Sequence, residues 1–155
     1  MIARGSKVII DSARGARRVE NLRVGEYVHA PLSGKLCQIK KVYQHVLKLN
    51  LGSDWKEHQR PVVVPMLALG KQFPSRSVVV SSSQQIMIAK SQAANRYPVC
   101  EWVKASNLPN FGISIEEFPY PEIEYFEIFM SESEMIDVEG IICTSRSSKK
   151  VRSVY

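Results

Sequence analysis

The chain has 155 residues, of which 45% are hydrophobic, so it has the size of one domain and enough apolar side chains to build its own core. This composition excludes a disordered chain, and no stretch reaches the roughly 18 consecutive apolar residues of a membrane-spanning helix. The first twenty residues are basic and polar. We therefore expect no signal peptide, no membrane association and a cytoplasmic location.

Short runs of β-branched and aromatic residues alternate with turn residues along the chain, which predicts an all-β domain. In chain order, strands are predicted at residues 7–11, 26–29, 35–51 (long enough to bend), 60–64, 77–81, 85–89, 122–130, 135–138 and 141–144, the last two joined by a tight turn at Glu139-Gly140. Helical turns are predicted at residues 65–70 and 103–108, the second closed by Pro109. Residues 146–155 are basic and contain no acid, so they are expected to form a tail that follows a domain of residues 1–145.

The net charge of +6 is distributed unevenly. Residues 105–145 contain no Lys or Arg, and the rest of the chain carries all 21 basic residues. A solvated face is the simplest explanation of such a charge run. The alternative is a positive patch that faces a negative patch on a neighbouring copy or on another protein. The acidic stretch contains nine acids: Glu116, Glu117, Glu122, Glu124, Glu127, Glu132, Glu134, Asp137 and Glu139.

The cysteines and histidines form no motif with metal-ligand spacing, so neither a metal nor another cofactor is predicted. An odd number of cysteines argues against a closed disulfide framework. Three partly buried thiols are the expected state of Cys37, Cys100 and Cys143, and a disulfide to another chain is the alternative.

Three groups of motifs occur in a characteristic order. The first comprises Gly5-Ser6, Val19-Glu20-Asn21-Leu22 and Gly25-Glu26-Tyr27-Val28, and the second contains Val78-Val79-Val80-Ser81. The third group comprises Tyr125-Phe126-Glu127-Ile128, Ser133-Glu134-Met135-Ile136 and Val138-Glu139-Gly140. Together the three groups resemble the Hedgehog/intein (Hint) domain superfamily, in its bacterial branch, over about residues 1–145. The resemblance implies a horseshoe-shaped all-β domain with one or two short helical turns.

The resemblance also implies a self-cleaving activity, but this chain departs from its catalytic pattern. Hint domains begin with a Cys or Ser whose side chain attacks the preceding carbonyl, and here that position is Met1, a thioether with no proton to lose. The T-x-x-H block corresponds to residues 81–84, so Ser81 begins it and Gln84, which does not titrate near neutral pH, replaces its His. In the closing block, Glu127 and Ser133 occupy the two His positions. No catalytic residue is therefore expected.

Other chemistry remains open at the same positions. Ser81, Ser82, Ser83 and Cys143 are candidates for a reassigned nucleophile, although a serine needs a base within hydrogen-bond reach. Hydroxyls that cap a strand turn are the simpler interpretation. Glu127 and Glu134 are candidates for a pair of carboxylates. None of His29, His45 and His58 lies in a motif block.

Nucleic-acid binding is a further alternative, through Arg14, Arg17, Arg18 and the basic tail. No sequence motif of a nucleic-acid-binding fold accompanies these bases.

We expect a catalytically inactive Hint-like domain that serves as a structural or protein-binding component of a larger assembly, such as a phage virion or tail part. Its partners would be other copies of itself or other proteins of the complex. An autoprocessing domain with a reassigned nucleophile and a nucleic-acid-binding protein are the alternatives. The predicted partner-binding residues are Arg146, Lys149, Lys150 and Arg152 of the tail, together with Glu116, Glu117, Glu122 and Glu124.

Overall fold

The computed structural model describes residues 1–11, 13–70, 72–90 and 99–149. In these residues, short strands form open sheets, joined by turns and three 3₁₀ helices, so the expected all-β class is confirmed. No helix in the described ranges is long and apolar enough to cross a membrane. The strands of the first half are β1 (Ile2–Ala3), β2 (Lys7–Ile9), β3 (Ala16–Arg18), β4 (Tyr27–His29), β5 (Leu36–Gln38), β6 (Lys41–Lys48) and β7 (Pro61–Val64).

The second half supplies the longest strand, β12 (Glu122–Met130), whose apolar side chains face the interior on both sides. The 3₁₀ helices are η1 (Val19–Asn21), η2 (Glu57–Gln59) and η3 (Ala105–Phe111). The remaining strands are β8 (Val78–Ser81), β9 (Gln85–Lys90), β10 (Val99–Lys104), β11 (Glu116–Glu117), β12 (Glu122–Met130), β13 (Met135–Val138), β14 (Ile141–Thr144) and β15 (Arg146–Ser147).

Two larger sheets hold most of these strands. The seven-stranded sheet has the order β11-β7-β8-β1-β12-β15, and β6 pairs with β12 along its whole length. The six-stranded sheet has the order β10-β9-β14-β13-β2-β3, while β4 and β5 form a small sheet of their own. Because β8 lies in one large sheet and β9 in the other, the corner between them brings the start of β1 close to the end of β14.

Val, Ile and Leu side chains from both large sheets form one core. Val8, Val64, Val78, Ile86 and Leu108 are among its fully buried members. β-branched residues suit this arrangement because they pack well on a pleated surface. A second, smaller cluster forms around Ala3, Ile123 and Tyr125, and the Tyr125 hydroxyl donates to the Gln59 carbonyl at 3.0 Å. Burial raises the pKa of Tyr125.

Three predicted elements differ from those observed. Residues 35–51 form two strands because Ile39, buried between them, exchanges backbone hydrogen bonds with Gly25 and Glu26, so that β5 pairs with β4 and β6 with β12. The predicted helical turn at residues 65–70 is wrong, since Leu67 has a left-handed φ of 64°. Pro109 does not close the second helical turn. It lies inside η3, which ends at Gly112, where φ is 74°.

The closing hairpin agrees with the prediction: β12, β13 and β14 have the expected bounds. Glu139 and Gly140 both have positive φ, as a two-residue hairpin turn between twisted strands requires. The Asp137 carboxylate accepts the Gly140 N–H at 2.8 Å, which ties the turn to β13. Burial raises the pKa of Asp137, and the backbone hydrogen bond and Arg14 act against this.

This raised pKa predicts a pH dependence of stability. Burial disfavours the ionised Asp137 carboxyl in the folded protein. The resulting loss of folding stability is absent below the ordinary pKa of about 4 and is complete once the pH exceeds the raised pKa of Asp137 in the folded protein. Asp137→Asn keeps the acceptor for Gly140 and has no charge. We therefore expect the unfolding free energy of Asp137→Asn to increase relative to that of the wild type as the pH rises from 4 to neutral. Urea denaturation across a pH series measures this difference. A difference that is the same at every pH would contradict this account.

Candidate functional site

A cleft of about 280 Å³ opens where β1, the β8–β9 corner, β12 and the end of β14 meet. Its walls combine apolar residues with an acid, two basic residues and amides. It contains three of the positions at which the chain departs from the catalytic pattern of Hint domains: Met1, Gln84 and Glu127. The lining residues are Met1, Ile2, His58, Ser83, Gln84, Gln85, Phe126, Glu127, Ile128, Ile136, Thr144, Ser145 and Arg146.

The Met1 backbone is held by the corner between β8 and β9. Its nitrogen donates to Gln84 Oε1 at 2.9 Å and to Ser81 Oγ at 3.1 Å, and its carbonyl accepts the Ser81 N–H at 3.0 Å. Burial lowers the pKa of the Met1 α-amino group to about 6, and the nearby Glu127 carboxylate acts against this. The first residue is thus fixed by one side-chain amide and one hydroxyl.

Gln84 is buried and uses both ends of its amide. Its Nε2 donates to the Gln85 and Thr144 carbonyls, each at 3.1 Å, while its Oε1 accepts from Met1. The side chain therefore joins β1, the start of β9 and the end of β14. A side-chain amide does not ionise near neutral pH.

The hydroxyls of two corner serines bond to backbone carbonyls. Ser82 Oγ donates to the Glu57 carbonyl, and Ser83 Oγ donates to the His58 carbonyl at 2.9 Å. Cys143 is fully buried, and burial raises its pKa to about 12, so its thiol stays protonated. This geometry corresponds to hydroxyls that brace a turn, the simpler of the two interpretations of the sequence.

The structure places two histidines at or beside the cleft that the sequence did not assign to it. His58, which follows Glu57 in η2, lines the cleft wall. His45 lies on β6, and its Nε2 is 3.4 Å from Glu127 Oε2. Only the pairing of β6 with β12 brings His45 to Glu127, and neither histidine has a motif around it that could have revealed this.

Ser133 and Glu134 lie elsewhere. Ser133 is exposed in the turn between β12 and β13 and does not line the cleft. Glu134 lines a separate depression with Cys37, Gln38 and Met130, so Glu127 and Glu134 do not share one site. Within the described part of the chain, no group of three His, Cys, Asp or Glu residues could hold a metal ion.

Two of the four predicted partner-binding bases, Arg146 and Lys149, lie in the described ranges and contact the domain. Arg146 belongs to β15, which pairs in parallel with β12, and it lines the cleft. Lys149 forms an ion pair with Glu132 of the same chain. Lys150 and Arg152 lie outside the described residues. Of the N-terminal bases, Arg14 is 3.6 Å from Asp137, and Arg17 pairs with Glu26.

The predicted acids fall into two groups. Glu122 and Glu124 lie on β12 and have cationic partners in the same chain, Lys48 at 4.0 Å and Arg4 at 2.9 Å. Glu116 and Glu117 form β11, where both are exposed. In the ranges that the structure describes, neither of these two has an ion pair within 4.0 Å.

Comparisons with known proteins agree with this architecture. The sequence profile described as "Hint domain" matches residues 3–149, nearly the whole chain. The crystal structure of the MchDnaB-1 intein is similar in fold, with 11% identity and a TM-score of 0.53, covering 94% of this chain and 100% of that one. A variant of the same intein has the same identity and TM-score and covers 95% and 100%. No curated protein matches the sequence. The chain belongs to the Hint domain family.

Proposed function

We propose that this chain is a Hint domain that binds other proteins as a component of a larger assembly and does not cleave itself. The setting that suits this role is a virion or tail part assembled in a bacterial cytoplasm. The observation that carries the proposal is the state of the cleft. A thioether occupies the position of the nucleophile, and the amide of Gln84 bridges the Met1 nitrogen to the Thr144 carbonyl.

Self-cleavage of the Hint type needs a nucleophile and a proton donor at these two places. The residue at position 1 must attack the carbonyl before it, and the departing nitrogen must gain a proton as the peptide bond breaks. Met1 has no nucleophilic hydroxyl or thiol, and Gln84 supplies no titrating group. Its three hydrogen bonds give it a bracing role instead.

A reporter protein fused before Met1 tests the proposal directly. We expect the wild-type fusion to stay intact during overnight incubation with a thiol or with hydroxylamine, as measured by mass spectrometry. The double variant Met1→Cys, Gln84→His restores the family's residue types at both positions. We expect it to form a thioester and to release the reporter when thiol is added, because the surrounding cleft is retained.

The single variants Met1→Cys and Gln84→His are the matched controls, and thermal melting shows whether each fusion is folded. Release of the reporter from the wild-type fusion at the bond before Met1 would overturn the proposal. If the folded double variant stays intact, the missing side chains are not the reason for inactivity, and this account of the cleft fails.

Autoprocessing with reassigned residues is the second candidate, and one observation favours it. His58 lines the cleft, and Glu127, which also lines it, contacts His45. A histidine within reach of the scissile bond could act as an acid or base. Cleavage of the wild-type fusion that His58→Ala or His45→Ala abolishes, while both variants stay folded, would establish this function.

A further inference from the structure

Two edge strands of the seven-stranded sheet, β11 and β6, differ in charge, and among the described residues no further strand pairs with either. One edge is β11, and on the opposite side β6 pairs with β12 alone. We propose that the β6 edge of one copy of this chain binds the β11 edge of a second copy, so that copies associate head to tail through a continued sheet. This inference names the partner in the binding role proposed above and rests on it.

The register shows which backbone groups of β6 are available. The Leu49 N–H donates to the Pro121 carbonyl at 2.7 Å, next to the pair Lys48 and Glu122. In an antiparallel pair, hydrogen-bonded positions alternate along the strand, so the odd-numbered residues of β6 bond to β12. The N–H and C=O groups that point away from β12 are those of Val42, Gln44, Val46 and Lys48.

In the described ranges, no strand pairs with this outer edge. Gln44, Val46 and Lys48 are exposed, and the exposed fraction of Val46 is 59%. The eight-residue strand is longer than most edges that proteins leave open, which are usually short or interrupted. Such a strand is a template for another strand, as in recognition by strand addition.

Charge selects the β11 edge as the partner. The adjacent acids Glu116 and Glu117 stand on β11, and the adjacent bases Lys40 and Lys41 stand at the start of β6. All four side chains are exposed, and within the described ranges none of them forms an ion pair inside 4.0 Å. Most other acids of the chain already have a cation or a backbone N–H as partner, among them Glu20, Glu26, Asp54, Glu122, Glu124, Glu127, Glu132, Asp137 and Glu139.

A symmetric pairing of two β6 strands is less favourable. Antiparallel pairing of two β6 strands about the outward-pointing Gln44 would bring Lys48 of each copy beside Lys40 and Lys41 of the other, and like charges that meet across a strand pair are destabilising. The β6–β11 contact joins different surfaces, so it leaves one open edge at each end and permits further copies to add. Repeated addition of that kind suits a component of a larger assembly.

Charge reversal tests the contact with the full chain. We expect the wild type at low salt to form multiples of 17.5 kDa that grow with protein concentration and dissociate with added salt, measured by sedimentation velocity. Lys40→Glu with Lys41→Glu, and separately Glu116→Lys with Glu117→Lys, should each weaken association by on the order of 100-fold, because like charges then meet across the contact. An equimolar mixture of the two double variants should restore association, since each edge again meets its opposite charge.

Lys7→Glu with Arg18→Glu is the matched control, because it changes the net charge as the β6 variant does, at exposed residues of β2 and β3 in the other large sheet. A wild type that remains a monomer at every concentration and salt overturns the proposal. So does an equimolar mixture that fails to associate, or a control variant that loses association as well. Cleavage of the reporter fusion is measured separately, so it would overturn the proposed function and leave the result on assembly unchanged.

Discussion

Replacing Gly140 with alanine is expected to lower the free energy of unfolding by about 3 kcal/mol, which for a domain of this size lowers the Tm by roughly 6–12 °C. Two effects add. Gly140 has a φ of 94°, a conformation that L side chains rarely adopt. A Cβ at this position would also overlap the Phe73 ring, with 2.7 Å to its Cε1 atom. Because the turn joins β13 to β14, we expect the loss to appear as global unfolding in thermal and urea denaturation.

Gly52→Ala separates the two effects. Gly52 has a similar φ of 77°, but a Cβ there would meet nothing within 4 Å, so this variant should lose only about 1 kcal/mol. Adding Phe73→Ala to Gly140→Ala removes the overlap, and the double variant should be more stable than the sum of the two single losses implies. Equal losses for Gly140→Ala and Gly52→Ala would show that contact with Phe73 contributes nothing.

Gln84→Met is expected to destabilise the fold by about 3 kcal/mol, because it removes three hydrogen bonds from a side chain of similar shape. In this largely buried site the Thr144 carbonyl then loses the Gln84 donor and the Met1 nitrogen keeps only Ser81 Oγ, and a buried polar group left unsatisfied costs more than the bond itself contributes. Chemical denaturation measures the loss. Hydrogen exchange should rise most at the start of β1, whose Met1 nitrogen the Gln84 amide holds.

The matched control is Gln44→Met on β6. Gln44 is exposed and has one side-chain hydrogen bond, to Glu124, so the same substitution should change stability by no more than about 0.5 kcal/mol. A loss of similar size in both variants would mean that the Gln84 amide does not brace the cleft. In that case a structural role would not explain why Gln84 lies beside Met1, and a catalytic role would have to be tested.

Local patterns predicted the longer strands, such as β12, and the hairpin of β13 and β14. The Glu139-Gly140 turn was sufficient for that hairpin, since a two-residue turn sets the register of the strands it joins. The two-residue strands β1, β11 and β15 and the three-residue strand β3 were missed because such short runs carry no alternation. β10 was also missed, since no strand was predicted at residues 99–104 and its last two residues were assigned to a helical turn.

For the candidate site, the sequence predicted the family and the all-β class. It also showed that position 1 has no nucleophilic side chain and that position 84 has no titrating one. Tertiary structure alone decided that the Met1 nitrogen bonds to Gln84, that His45 meets Glu127, that His58 lines the cleft and that Ser133 does not. The physical reason is that a period of two reveals which face of a strand is buried but not which distant strand lies beside it. The partners Met1 and Gln84 are 83 positions apart, and only the complete set of strand pairings brings them together.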